Sequence, residues 1–224
     1  MIKGKHHIVF DEITYNRIEL SDFVSNFENC IVSYNDYAER VLRNKEFEYL
    51  DGYNILDTSL IEGKHAIDYP IIRDLVNKFN INVDYKRVNL MHFDTGYSFP
   101  IHTDHAMKAG IMFPIWPEDA GEPIVFYKTD NVKVATDYNH LTEEDIDYKH
   151  YYSNKHPTLF NAQIPHGVPT VKEPRLYLKI RLFDDTYESI DDNFIKKEKE
   201  LGGPKGLEPT RFKTWESKGR EIDF

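Results

Sequence analysis

Arg175-Leu176-Tyr177-Leu178-Lys179-Ile180-Arg181-Leu182 alternates polar and apolar side chains without a break. Side chains on a strand point to opposite faces in turn. Leu176, Leu178, Ile180 and Leu182 therefore share one face, and Arg175, Tyr177, Lys179 and Arg181 the other. Four polar residues on one strand face look either to solvent or into a polar pocket. Outward from this run, residues 83–183 hold further short stretches of β-branched and aromatic residues: Arg87–Phe93, Gly110–Ile115, Pro123–Tyr127, Val132–Ala135 and Thr158–Asn161. Gly, Pro, Asn and Asp separate them, which predicts a sandwich or barrel of many short strands.

The flanks read differently. Residues 1–82 predict a short strand, Lys5–Phe10, and then helices as support. Ser21 and Asp22 are candidate caps for a helix over Phe23–Cys30. Tyr34–Leu42 has helical spacing, and Pro70 opens a helix through Phe79 with Ile71, Ile72, Leu75 and Val76 on one side. Residues 184–224 begin with Asp184, Asp185, Asp191 and Asp192. A helix is expected over Asp192–Leu201, stopped by Gly202, Gly203 and Pro204, and followed by a tail. The acidic cluster reads as a solvated face, because it lacks the Gly and Glu spacing of a calcium loop.

The totals suit a single domain. The chain has 224 residues, of which 40% are apolar and 29% charged, enough for a packed core without staples. Cys30 is the one cysteine, which excludes an internal disulfide and a cysteine zinc cage. The segment Met1–Phe10 lacks the apolar run of a signal peptide, and no stretch is apolar over the roughly 20 residues a membrane span needs. A cytoplasmic protein without membrane contact is the expectation. The formal charge of −10 disfavours bulk nucleic-acid binding.

Metal chemistry is the strongest functional signal. Two His-x-Asp pairs occur, His92-Phe93-Asp94 and His102-Thr103-Asp104. Composition alone yields about one such pair by chance, so the pair by itself decides nothing. A facial triad needs a third ligand from a later strand and leaves other coordination positions open. Thr158-Leu-Phe-Asn-Ala-Gln-Ile-Pro-His166 delivers a histidine after a strand and a turn, and Arg175 follows nine residues later.

Phe93-Asp-Thr-Gly96-Tyr-Ser-Phe-Pro-Ile-His102-Thr-Asp104 resembles the aromatic-x-x-Gly and His-x-Asp entry of the prolyl-hydroxylase-like 2-oxoglutarate/Fe(II)-dependent dioxygenases. Ala120-Gly-Glu-Pro-Ile-Val-Phe-Tyr127 is similar to their Gly-Gly-Glu-Leu-x-Phe hairpin, with Pro123 departing from the pattern. Leu159-Phe-Asn to Pro-His166-Gly-Val is similar to their distal histidine segment. The resemblance covers about residues 90–183. It implies a mainly β fold with flanking α: a double-stranded β-helix, jelly-roll or cupin-like barrel, with the N-terminal helices packed on it. It implies His102, Asp104 and His166 as Fe(II) ligands and Arg175 as the partner of the far carboxylate of 2-oxoglutarate. A guanidinium fork matches a carboxylate bidentately. Tyr177 stands where the family often has a hydroxyl residue. Members often carry a Tyr near the position of Phe93 or Phe113 to hold the co-substrate; Phe has no hydroxyl, which leaves one co-substrate contact unassigned.

The implied reaction consumes O2 and 2-oxoglutarate, releases succinate and CO2, and hydroxylates a C–H bond of a peptidyl residue, free amino acid or small molecule. Two further readings stand beside it: a cupin-type metal enzyme that does not use 2-oxoglutarate, and a non-catalytic β-barrel binding module. Among the remaining candidates, His105 reads as surface or as a neighbour of the metal, and His92 as a pocket wall or an ordinary hydrogen-bonded histidine. His140, His150 and His156 read as exposed loop residues. The polar loop 130–155, with Tyr138, Tyr148, Tyr151 and Tyr152, reads as a lid or as decoration. Arg181, roughly 20 Å along its strand from Arg175, is placed at a pocket mouth to meet an anionic substrate group, or in a structural ion pair. Arg87 and Trp116 are further mouth candidates.

Overall fold

A computed structural model describes residues 2–4, 6–42, 52–104, 107–119, 121–128, 141–190, 194–195, 215–217 and 220–222. In chain order the strands are β1 (Ile2–Lys3), β2 (His7–Val9), β3 (Ile31–Ser33), β4 (Tyr53–Leu56), β5 (Val88–Phe93), β6 (Phe99–His102) and β7 (Ala109–Trp116). They continue with β8 (Ile124–Tyr127), β9 (Ile146–His150), β10 (Thr158–Asn161), β11 (His166–Val168), β12 (Arg175–Leu182), β13 (Trp215–Ser217) and β14 (Arg220–Ile222). Helices are α1 (Arg17–Ser25), α2 (Tyr34–Tyr37), α3 (Ser59–Glu62) and α4 (Pro70–Val76). None is long and apolar enough to cross a membrane.

Two antiparallel sheets carry the fold. The larger runs β1-β2-β10-β7-β12-β5-β4-β3 and the smaller β6-β11-β8-β9; β13 and β14 pair separately. From β5 to β12 the chain passes repeatedly between the two sheets. No closed barrel forms among the described residues. The sequence left β3 and β4 unread, and these N-terminal strands, with β1 and β2, extend the edges of the large sheet instead of closing it.

The alternation in β12 explains how the layers stack. Leu176, Leu178, Ile180 and Leu182 join Val88 and Leu90 of β5 and Ile111, Phe113 and Ile115 of β7 in one core. Leu20 and Val24 of α1, and Ile72, Leu75 and Val76 of α4, cover that face. Each such aliphatic side chain contributes about 1.5–3 kcal/mol when fully buried. The opposite face of the same strands presents Met91, Phe93, Met112, Phe160 and Tyr177 to Ile124 and Phe126 of the small sheet. Of the two faces, this one holds the polar residues of β12.

Helix boundaries differ from expectation at their caps. α1 starts at Arg17, because the Asn16 side chain accepts the Glu19 amide; Ser21 and Asp22 lie inside the helix. The Tyr34 helix gives way after one turn to a wider turn over Ala38–Leu42. The helix opened by Pro70 ends at Val76, earlier than Phe79. The expected strand Val132–Ala135 and most of the expected helix Asp192–Leu201 lie outside the described residues.

One buried histidine makes the fold sensitive to acid. His150, expected in an exposed loop, ends β9 and is buried, with Nε2 3.3 Å from Thr158 Oγ1. Burial, helped by neighbouring His7, pushes its pKa down to about 3. The unfolded chain takes up this proton near pH 6.5, whereas the folded chain declines it until about pH 3. The contribution of His150 is thus full above the unfolded pKa near 6.5 and is lost as the pH drops from there towards about 3. Between pH 7 and 5 the native protein is expected to lose ~1–2 kcal/mol more than a His150→Gln variant. Denaturant titrations at both pH values measure the difference, and parallel losses would remove His150 as the cause.

Candidate functional site

Strands β6 and β11 are neighbours, with His102 opposite His166 in register. The two rings lie 4.4 Å apart, tilted by 49°. Asp104 follows just past the end of β6. Its amide donates to Ala162 O at 3.0 Å, and the Gln163 side-chain amide donates to the carbonyls of Asp104 (2.7 Å) and Met107 (2.8 Å). These bonds hold the loop so that Asp104 Oδ2 lies 3.6 Å from His166 Nε2. One candidate ligand atom from each of His102, Asp104 and His166 falls within 4.8 Å of the others.

The hydrogen bonds fix the donor chemistry. His102 Nδ1 lies 2.8 Å from Pro100 O, and His166 Nδ1 lies 2.8 Å from Ile164 O. A carbonyl only accepts, so each Nδ1 carries the proton and each Nε2 keeps its lone pair. Burial lowers the pKa of both rings, that of His166 to about 3, so both are neutral at physiological pH. For Asp104, burial alone would raise the carboxyl. Positive fields, that of Lys179 first with Arg181 among them, outweigh it and hold the pKa below the ordinary carboxylate value. Asp104 Oδ2 is buried and accepts no hydrogen bond. Two neutral imidazoles and an unsatisfied carboxylate oxygen on one point suit a divalent metal ion.

A cavity of about 430 Å³, including its open mouth, adjoins this cluster. His102, His166, Arg175, Tyr177 and Lys179 line it, with Met91, Phe93, Phe99 and Met112 as apolar wall. Arg175 is 1% exposed. Its Nη2 donates to Glu122 O at 2.6 Å and to the Tyr177 hydroxyl, and its Nη1 lies 3.7 Å from Glu122 Oε2. Gly121 makes room for it: its φ of +67° suits glycine, and a Cβ there would come within 3.0 Å of Arg175 Nε. The hairpin at 121–127 is thus the cradle of the arginine. Tyr152 packs on Tyr177 at 5.5 Å and lines the same cavity.

Comparisons with known proteins reach different parts of the chain. Residues 187–224 match a family described as "Protein of unknown function (DUF1674)". A UPF0369 protein of Rickettsia prowazekii is 51% identical over 35 residues, which is 16% of this chain and 45% of that protein. One of Rickettsia conorii is 39% identical over 57 residues, 25% of this chain and 61% of that protein. The chain spans about half the length of these curated relatives. Among solved structures, a Pseudomonas putida prolyl-4-hydroxylase is 12% identical with a TM-score of 0.42, covering 74% of this chain and 86% of that one. A Trichoplax adhaerens prolyl hydroxylase, in complex with a hypoxia inducible factor peptide fragment, is 16% identical with a TM-score of 0.39, covering 75% and 90%. An oxidoreductase of the 2OG-Fe(II) oxygenase family from Burkholderia pseudomallei is 9% identical with a TM-score of 0.33, covering 76% and 94%. Likenesses this distant carry no function to the chain.

The structure brings together all five residues singled out from the sequence: His102, Asp104 and His166 in one cluster, Arg175 and Tyr177 in the adjoining wall. The second pair is separate. His92 shares the helix-side face of β5 with Leu90 and lies 3.6 Å from Asp94, so it is no pocket wall. His156 is half-buried, with Nδ1 3.0 Å from Ile13 O. His105 and His140 lie outside the described residues. Phe93 lines the cavity, but Phe113 belongs to the helix-side core. Trp116 turns to Ser21 Oγ, and Arg87 pairs with Asp184, so neither stands at the mouth. The sequence reading missed Gln163 and the cavity-facing position of Tyr152. Part of the supposed lid is strand β9, which carries no strong alternation in Ile-Asp-Tyr-Lys-His.

Proposed function

We propose that this protein is a non-haem Fe(II), 2-oxoglutarate-dependent oxygenase that hydroxylates a C–H bond, on a single domain whose catalytic core is residues 83–183. The observation that carries the reading is the convergence of His102, Asp104 and His166 beside a cavity that also holds a buried arginine. The path of β5 to β12 between two facing sheets supports a double-stranded β-helix of the jelly-roll type. His102 Nε2, Asp104 Oδ2 and His166 Nε2 would hold the metal ion. Iron(II) held there supplies the oxidation of 2-oxoglutarate to succinate and CO2, with one oxygen atom passing to the substrate.

The chain's own residues orient and enclose. Arg175 would meet the far carboxylate of 2-oxoglutarate, and the Tyr177 hydroxyl fixes the guanidinium plane. The Tyr152 side chain, buried beside both, supplies the hydroxyl that Phe93 lacks. Met91, Phe93, Phe99 and Met112 keep water from the reacting atoms. A buried arginine facing the metal cluster favours this reading over a cupin-type enzyme without 2-oxoglutarate, which has no use for it.

The test is anaerobic reconstitution of the full chain with Fe(II) and 2-oxoglutarate. A weak visible charge-transfer band is expected, followed on admission of O2 by equimolar succinate and CO2. Bound iron with neither band nor succinate would replace this reading with metal chemistry of another kind.

A further inference from the structure

The polar face of β12 holds two cations that the proposed metal and co-substrate chemistry does not use. Lys179 lines the cavity beside the His102–Asp104–His166 cluster, half-buried, with Nζ 5.2 Å above the Phe160 ring. Gly110 leaves space for this arrangement, since a Cβ there would strike the Phe160 ring at 2.5 Å and approach Lys179 Cε at 3.3 Å. Arg181 stands two residues on, on the same face and also half-buried. It is within hydrogen-bonding reach of Tyr34, and the fields of Tyr53 and Asp104 favour its cation. Among the described residues, no carboxylate lies within ion-pair distance of either side chain. Asp104 acts on both only beyond that distance, and its Oδ2 is turned to His166 Nε2.

Charge balance gives these cations a purpose. On the cavity side of the sheet, Arg175, Lys179 and Arg181 face two carboxylates that are at least half-buried, Asp104 and Glu122, leaving one positive charge; Asp119, which also acts on Arg175, is exposed to solvent. A divalent metal ion raises the excess to three. A doubly charged 2-oxoglutarate returns it to one, on the side of Lys179 and Arg181, because Arg175 and Glu122 are already paired. A half-buried positive charge of this kind is costly unless an anion meets it. An ammonium and a guanidinium two residues apart on one strand face, about 7 Å along it, suit two oxygens of one small anionic group.

We propose that the substrate is a small carboxylic acid, such as a free amino acid, whose carboxylate is bound by Lys179 and Arg181, in preference to an internal residue of a peptide. This rests on the oxygenase reading for the position of the metal and co-substrate, and it narrows the substrate class within it.

The experiment uses the full chain loaded with Fe(II) and 2-oxoglutarate under nitrogen. The twenty common amino acids and their carboxamides are titrated by calorimetry. At least one acid is expected to bind at least about tenfold more tightly than its amide, the loss typical of a missing charge-assisted contact. Lys179→Gln and Arg181→Gln are each expected to erase most of that acid-over-amide preference, and Lys179→Arg to restore it. Equal affinity for acid and amide overturns the proposal. So does a preference that survives both Gln variants, or the absence of binding by every acid at about 10 mM. An amidated, acetylated peptide binding where free acids do not also overturns it. The 2-oxoglutarate affinity of the unaltered protein is measured alongside: failure there counts against the oxygenase reading, whereas normal co-substrate binding without acid preference counts against this inference alone.

Discussion

Asp104→Ala is expected to abolish stoichiometric Fe(II) binding, with affinity falling by more than about 100-fold, beyond the 10–100-fold that outer partners of a metal site are worth. The expectation follows from how few donors the cluster has. Among the described residues it offers two imidazole nitrogens and one carboxylate oxygen, and that oxygen is buried and accepts no hydrogen bond. Its charge also offsets Lys179 and Arg181, whose fields hold the carboxyl below its ordinary pKa. Removing it would leave a dication to enter a site of net positive charge with two neutral ligands. The readout is metal-dependent thermal stability under nitrogen. Metal at about 100 times its dissociation constant should stabilise the native protein by ~2.7 kcal/mol, and the variant by nothing measurable. Asp104→Glu, which keeps the charge on a longer arm, should recover part of the shift. A full metal-induced shift in Asp104→Ala would take the carboxylate out of the metal site.

The legibility of this site in the sequence varied with how local the cause was. His102 and Asp104 are close in the chain, and Arg175 heads an alternating run, so local pattern pointed to both. The pairing of His166 with His102 is a long-range register, and only resemblance to a known pattern suggested it. β12 and β10 were legible because their residues suit a strand at every position. β3 and β4 were not, because three or four residues between helical stretches carry too little periodicity. Tyr152 and His150 looked like loop residues since Tyr-Lys-His-Tyr-Tyr reads as polar. Their burial is decided by the sheet that closes over them. Whether a polar strand face looks to solvent or to a cavity is likewise a tertiary property. The face of Arg175, Tyr177, Lys179 and Arg181 was read from alternation, and its pocket only from packing.

Replacing Arg175 is expected to raise the dissociation constant for 2-oxoglutarate by about 100-fold, the loss of a desolvated bidentate contact worth roughly 3 kcal/mol. A single Arg175→Met change confounds two effects, because Glu122 Oε2 lies 3.7 Å from Nη1 and would be left as a buried, unpaired carboxylate. Breaking such a pair from one side costs about 3–5 kcal/mol, whereas replacing both partners is often close to neutral. The informative variant is therefore Arg175→Met with Glu122→Gln. It should melt within a few degrees of the native protein and bind Fe(II) normally, since neither residue touches the cluster, yet bind 2-oxoglutarate poorly. Arg175→Lys should fall between, keeping the charge and losing the fork that Gly121 leaves room for. Calorimetry with 2-oxoglutarate on the metal-loaded double variant decides the matter. Unchanged affinity would mean that Arg175 and Glu122 form a structural pair, and the co-substrate carboxylate would then have to be sought at Lys179, the other cation lining the cavity.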